Sequence, residues 1–199
     1  MRRNHIIVVI IGIIIFLFML FNSNYYNNTD SNNIRVAYIP CDHESALFVA
    51  ETQNMYKDQG LNVTSMTIST GSSIVSAIAS GDIDLGYIGI APALQGINEG
   101  VPIKIVAAVN LDGSGIVVDP TENITNMADL KGKKIATPGV SSIQQVILLY
   151  QLQKYNLTIS DVDISSVNIY MLPSTLASKK VDAYIAYEPY VSLAPYRGV

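Results

Sequence analysis

Two short stretches of the chain repeat one another, and they limit what it can fold into more than any other feature. Ala79-Ser80-Gly81-Asp82-Ile83-Asp84 runs through an apolar segment to Pro92, and Ala177-Ser178-Lys179-Lys180-Val181-Asp182 runs in the same way to Pro189. Each copy reads as a helix end, a tight turn, an aspartate, a buried strand and a proline opening the next helix. A proline suits a first helical turn because its missing N–H would be unpaired there anyway. A solenoid needs at least three copies, so two copies predict a pair of lobes built alike with a cleft between them.

The surrounding pattern agrees. Ile34–Ile39 reads as a short buried strand closed by Pro40, and Glu44–Gln59 as a helix with Leu47, Phe48 and Met55 on its apolar face and Gly60 as its cap. Leu61–Ile68 alternates like a strand. Thr70-Gly71-Ser72-Ser73 then opens a helix to about Ala79, and Leu85–Ile88 and Ile103–Val109 read as buried strands. Beyond Asp119-Pro120 come a strand at Lys134–Thr137, a helix at Ser142–Tyr155, and strands near Val167–Met171 and Ala183–Ala186. Strands alternating with helices predict an α/β fold with a mainly parallel sheet. Val109–Gly115, loosened by Asp112, Gly113 and Gly115, reads as the hinge between lobes 34–110 and 111–199.

The N-terminus sets the compartment. Arg2 and Arg3 precede an apolar run from Ile6 to Phe21, the layout of an export signal with its basic flank kept inside. Those sixteen residues would span about 24 Å as helix, a little short of a hydrocarbon layer of roughly 30 Å. No small-x-small cleavage site follows, and Cys41 lies too far on to serve as a lipid-attachment residue. Residues 1–22 are therefore expected to remain as a helical membrane anchor, with a cleaved signal and a secreted protein as the alternative. Residues 23–33, rich in Asn, read as a tether. The folded part would then be extracytoplasmic, and sequons at Asn27, Asn62, Asn123 and Asn156 could carry glycans there.

Composition excludes several function classes. A net charge of −4 with no long basic run argues against nucleic acid as a partner; Lys131, Lys133 and Lys134 read as a solvated turn. A single cysteine builds neither a disulfide framework nor a Cys-based zinc site. Cys41, Asp42 and His43 are consecutive, and three consecutive side chains rarely converge on one ion, so no metal is expected. The only histidines are His5 and His43, and there is no G-x-S-x-G elbow, phosphate loop or G-x-G-x-x-G fingerprint. The chain reads as a non-enzyme without a cofactor.

Six stretches carry a family resemblance: "IRVAYIP", "ALFVAETQNMYKDQGLNV", "GSSIVSAIASGDIDLGYIGIAPAL", "GVPIKIVAAV", "DLKGKKIATPGVSS" and "VDAYIAYEPY". In this order, from Ile34 to about Tyr190, they resemble the solute-binding proteins of the nitrate/sulfonate/taurine class of ABC importers. The resemblance implies a two-lobed, type II periplasmic-binding-protein-like α/β fold that closes on a small solute and docks, as a monomer, on a membrane permease. Family members run on well past this length, so a complete first lobe and a partial second lobe are expected. A sensing or non-transporting receptor is the alternative. Relatives of this fold that make the thiamine pyrimidine carry a cysteine-rich motif that is missing here.

In open α/β sheets ligands bind beyond the carboxyl ends of the strands, which selects five loops: Pro40–Glu44, Thr70–Ser73, Gly89–Pro92, Thr137–Ser142 and Tyr187–Pro189. Three lead into helices with small or hydroxyl residues: Thr70, Gly71 and Ser72; Gly89, Ile90 and Ala91; and Thr137, Gly139, Val140, Ser141 and Ser142. Backbone N–H groups at helix starts suit a sulfonate or carboxylate, while ordinary capping is the competing reading. None of the five loops holds Arg or Lys, whereas Asp42, Glu44 and Glu188 supply negative charge and Tyr187 and Tyr190 aromatic faces. That mixture suits a zwitterion such as taurine better than nitrate. His43 reads as a polar contact to the ligand or the backbone.

Overall fold

The computed structural model describes residues 32–194. The expected anchor, nearly all of the tether and the sequon at Asn27 lie outside the described residues. Among the described residues no helix is long and apolar enough to cross a membrane.

In the first half, β1 (Asn33–Tyr38), β2 (Asn62–Thr67) and β3 (Leu85–Tyr87) form a sheet in the order β2-β1-β3. β1 and β3 are parallel, with Val36 opposite Leu85 and Tyr38 opposite Tyr87. Helices α1 (Ser45–Thr52) and α2 (Met55–Asp58) join β1 to β2, α3 (Gly71–Ala79) joins β2 to β3, and α4 (Ile90–Asn98) follows. The second half contains β4 (Ser114–Val118), β5 (Lys134–Thr137), α5 (Ile143–Lys154), β6 (Asp163–Ser166), α6 (Leu172–Ala177) and β7 (Ala183–Tyr187). Its strand order is β4-β7-β5-β6, with β5 parallel to both neighbours and β4 antiparallel to β7. Leaving β4 aside, β6-β5-β7 repeats β2-β1-β3.

The repeat holds down to single hydrogen bonds. The N–H groups of Ser80, Gly81 and Asp82 donate to the carbonyls of Ser76, Ile78 and Ala77 at 3.0, 3.0 and 2.9 Å; those of Ser178, Lys179 and Lys180 donate to Ser174, Leu176 and Thr175 at 3.0, 2.8 and 3.1 Å. Both are helix ends closed by a left-handed residue, Gly81 at φ 79° and Lys179 at φ 56°. The next apolar residue is buried in each copy, Ile83 and Val181. The aspartate then clasps the neighbouring parallel strand: Arg35 N–H donates to the Asp84 carboxylate at 2.8 Å, and Lys134 N–H to that of Asp182 at 2.7 Å. The return bonds run from Asp84 N–H to the Arg35 carbonyl and from Asp182 N–H to that of Lys134. One device therefore sets the register of both sheets.

Packing explains where the helices lie. Ala37, Ile74 and Ile83 form the core of the first half. Gly86 lets α3 approach β3, since a Cβ there would stand 2.5 Å from Ile74 Cγ2. In the second half every residue of β7 is buried. One side of that sheet packs on Leu130, Leu148 and Leu152, and the other on Ile169, Leu172 and Leu176.

The structure departs from the sequence expectations at several points. The helix expected over Glu44–Gln59 is broken by Asn54, which sits at φ 57°, a conformation Asn tolerates better than most residues. Ile103–Val109 is not a buried strand. Within the described residues it pairs with no strand, and Val106 is 80% exposed. The expected hinge at Val109–Gly115 overlaps β4, whose backbone is held by β7 across the register Ser114↔Tyr187 to Val118↔Ala183. The strand expected near Val167–Met171 lies earlier, at β6. Asn168 instead caps a 3-10 turn (Ile169–Met171) that leads into α6. Pro92 falls in the first turn of α4 as expected, but Pro189 follows a cis bond from Glu188 into a run of turns that reaches Ala194.

Candidate functional site

The loops at the carboxyl ends of the strands bring three helix starts together. Gly71, at the start of α3, packs so closely on Pro92 in the first turn of α4 that a Cβ would lie 2.6 Å from the proline ring. Gly89, which caps α4, has Ile143 of α5 at 3.3 Å from the place a Cβ would occupy. The starts of α3, α4 and α5 are thus neighbours in space, though they come from both halves of the repeat.

Capping accounts for part of what the sequence offered. The Thr70 hydroxyl accepts from Ser73 N–H at 3.1 Å and lies 2.7 Å from Ser73 Oγ, and the Ser142 hydroxyl accepts from Gln145 N–H at 3.2 Å. Ser72 is exposed, and its carbonyl accepts from the Ser76 hydroxyl. Gly89 caps α4 without a side chain, which leaves the backbone N–H groups there uncovered by any hydroxyl. Ile90 and Val140 are exposed and Ala91 is half-buried, all on the loops that meet here. Gly139 and Ser141 both take positive φ, 155° and 68°, which turns the Thr137–Ser142 loop sharply into α5. Thr137 is fully buried at the end of β5, and its hydroxyl has no hydrogen-bond partner among the described residues. A buried hydroxyl left in that state costs roughly 1–3 kcal/mol.

The loop after β1 closes over the second half. Cys41 is buried in the same core as Ile169, Tyr187 and Tyr190, and the Tyr190 hydroxyl donates to the Pro40 carbonyl at 3.5 Å. The His43 ring lies 5.5 Å from that of Tyr187. Its Nε2 is buried without a hydrogen-bond partner among the described residues, and Gly113 comes so close that a Cβ there would stand 2.6 Å from it. Gly113, at φ 85°, is therefore required on two counts, backbone conformation and room for the imidazole. Asp42 is exposed, 3.8 Å from His43 Nε2. Contrary to the sequence expectation, the donor atoms of Cys41, Asp42 and His43 do converge, all within 4.8 Å of one another. They do so because Asp42–Glu44 forms a tight 3-10 turn with Cys41 as its cap. The Cys41 thiol, however, is pushed up to about 12 by burial and by the Glu44 carboxyl, so an ion would first have to displace a firmly held proton.

Two acids change standing. Glu188 accepts from both the N–H and the hydroxyl of Ser192, at 3.0 and 2.7 Å, so its carboxylate is engaged within its own turn. Glu44, one of the three acids on the five loops, is only 4% exposed. Its carboxyl accepts from Cys41 Sγ at 3.6 Å, and burial, seconded by the Asp42 charge, pushes it up to about 7 despite that bond. The sequence signal for this was its place between Cys41 and the apolar Ala46-Leu47-Phe48. Tyr87, opposite Tyr38 in the register, is likewise pushed up to about 12, chiefly by burial.

Known proteins resemble this chain in sequence and in fold. A Brucella abortus protein named only generically as a binding protein is 31% identical over 164 residues, covering 81% of this chain and 50% of its own length. The chain thus spans about half the length of the curated relatives it matches. The taurine-binding periplasmic protein of Escherichia coli K12 is 31% identical over 117 residues, 58% of this chain and 36% of that protein. A 4-amino-5-hydroxymethyl-2-methylpyrimidine phosphate synthase of Saccharomyces cerevisiae is 28% identical over 121 residues, 56% of this chain and 34% of that enzyme. Among solved structures, the alkanesulfonate-binding protein SsuA of Xanthomonas axonopodis pv. citri, bound to MOPS, superposes with a TM-score of 0.73 at 24% identity, covering 84% of this chain and 58% of that one. The fold is therefore that of the ABC-type solute-binding proteins. The family model that matches residues 27–199 settles the lineage, and this chain belongs to the NMT1-like family.

Proposed function

We propose that this chain is the extracytoplasmic solute-binding component of an ABC importer, taking a small organic anion or zwitterion of the sulfonate or taurine kind between its two halves. The observation that carries the reading is the meeting of the α3, α4 and α5 starts, with the Thr137 hydroxyl, partnerless among the described residues, at the head of the loop that leads into α5. Helix starts supply N–H donors and a positive dipole end without any fixed cation, which matches loops that lack Arg and Lys. Residues 34–110 and 111–199 act as the two lobes, working as a monomer that presents its closed form to a permease and is held at the membrane by the N-terminal segment.

Calorimetry on the full-length chain in mild detergent tests this reading. Taurine and ethanesulfonate should bind at least ~10-fold more tightly than nitrate, which offers no organic tail and no cation. Nitrate binding more tightly than both would overturn it. A thiamine-type pyrimidine belongs in the same panel because of the yeast relative, and preferential binding of it would transfer the chain to that branch.

A further inference from the structure

Glu44 has a chemistry that the anion reading leaves unused. It is 4% exposed, and among the described residues no Lys, Arg or His forms an ion pair with it. The titratable groups that face it are Cys41 and Asp42 on its own loop, Tyr87 on β3 and Tyr187 on β7. None of these side chains can carry a positive charge, and His43 beside it turns its ring onto Tyr187 and Gly113. A carboxyl buried among phenols, a thiol and another acid must either hold its proton or meet a cation from outside. Its position favours the second course. The loop that carries it lies where the halves meet, with Cys41 in the core of the second half and Pro40 bonded to Tyr190. The other cleft acids are less suited, Glu188 being held by Ser192 and Asp42 being solvated.

We infer that Glu44 receives a cationic ammonium group of the ligand, flanked by the faces of Tyr87 and Tyr187, so that the solute is an amine-bearing anion such as a short aminosulfonate. The inference rests on the proposed function and names the residue that reads the ligand's second charge. Aromatic faces beside a carboxylate favour an ammonium group over a neutral donor. Binding then carries a proton signature. Near pH 7 the acid is about half protonated in the free protein. The entering ammonium draws it fully to the carboxylate. The protonated acid and the ammonium cation become a carboxylate–ammonium ion pair, and the acid's proton leaves to the buffer.

The test is calorimetry on the full-length chain at pH 7 in two buffers of different ionisation enthalpy, with taurine and with ethanesulfonate, which keeps the anion and lacks the amine. Wild type should bind taurine roughly 10- to 100-fold more tightly and release up to about half a proton with taurine alone. Glu44→Gln should bind ethanesulfonate as wild type does and lose the preference for taurine. Equal affinities or equal proton release for the two solutes in wild type would overturn the inference, and so would a taurine preference that survives in Glu44→Gln. The wild-type proton measurement needs no variant, so misfolding of Glu44→Gln leaves the question decidable. Binding of neither solute refutes the sulfonate reading itself, and with it this assignment, whereas binding of both without discrimination removes only the role of Glu44.

Discussion

Glu44 also predicts how stability should change with pH in the absence of ligand. In the unfolded chain it titrates near its ordinary value of 4.5, and in the fold at about 7, because burial disfavours its charge. An acid whose folded value is raised contributes fully below 4.5, and its contribution disappears as the pH climbs through about 7. That difference corresponds to about 3 kcal/mol, and nearer 2 once solvent at the edge of the loop screens the charge. Glu44→Gln keeps the shape of the neutral acid and cannot ionise. Subtracting the variant from wild type isolates this one group from every other titration in the protein. The assay is urea unfolding at pH 5, 6, 7 and 8, followed by far-ultraviolet circular dichroism. The stabilities should be similar at pH 5, and the variant should lead by about 2 kcal/mol at pH 8. Wild-type and variant stabilities that stay parallel within about 0.5 kcal/mol across that range would show that Glu44 is not an uncompensated buried acid.

Other outcomes follow from the packing and the repeat. Asp182→Ala removes the acceptor of Lys134 N–H and should cost about 1–2 kcal/mol in urea unfolding; a loss below about 0.3 kcal/mol would mean that the clasp does not set the register. Gly86→Ala places a methyl 2.5 Å from the fully buried Ile74, so thermal unfolding should show a loss of about 1–3 kcal/mol. Thr137→Val deletes a hydroxyl that has no partner among the described residues. The free protein should be no less stable, while sulfonate affinity drops about 10-fold in calorimetry. Unchanged affinity there would remove Thr137 from the ligand's surroundings.

Much of this fold could be read from the residues, for reasons that are themselves physical. β5 and β7 are short apolar runs buried by the helices around them, β3 is found where expected although Leu85 in it is exposed, and the Gly81 and Lys179 turns rest on bonds within a few residues. What escaped depends on partners far along the chain. β4 is the sequence Ser114-Gly115-Ile116-Val117-Val118, which beside Asp112 and Gly113 reads as a loose crossover. It becomes a strand only because β7, some seventy residues later, lies against it. Ile103–Val109 misled in the opposite sense, since an apolar run reads as buried whether or not another strand lies alongside it. In the candidate site the caps Thr70 and Ser142 were legible because each bonds three residues ahead. The Ser192 clasp on Glu188 was equally local and still went unread. The burial of Glu44 had only a weak local sign in its apolar neighbours, and the packing of His43 against Gly113 and Tyr187 arises from contacts between the halves that no local pattern encodes.

The repeat has one more consequence. Its backbone was copied, aspartate clasp included, but its electric charge was not. The loop after β1 carries Asp42 and Glu44, whereas the equivalent loop after β5, Thr137–Ser142, carries no ionisable side chain at all. Two halves that share a backbone repeat therefore differ in charge on these equivalent loops. On the proposed reading, a solute with a plus at one end and a minus at the other can lie between them only one way round, head toward β1 and tail toward the start of α5. A solute whose single charge is central, such as nitrate, feels no such torque, and selectivity for dipolar molecules would then come from the asymmetry between the two halves as much as from either one alone.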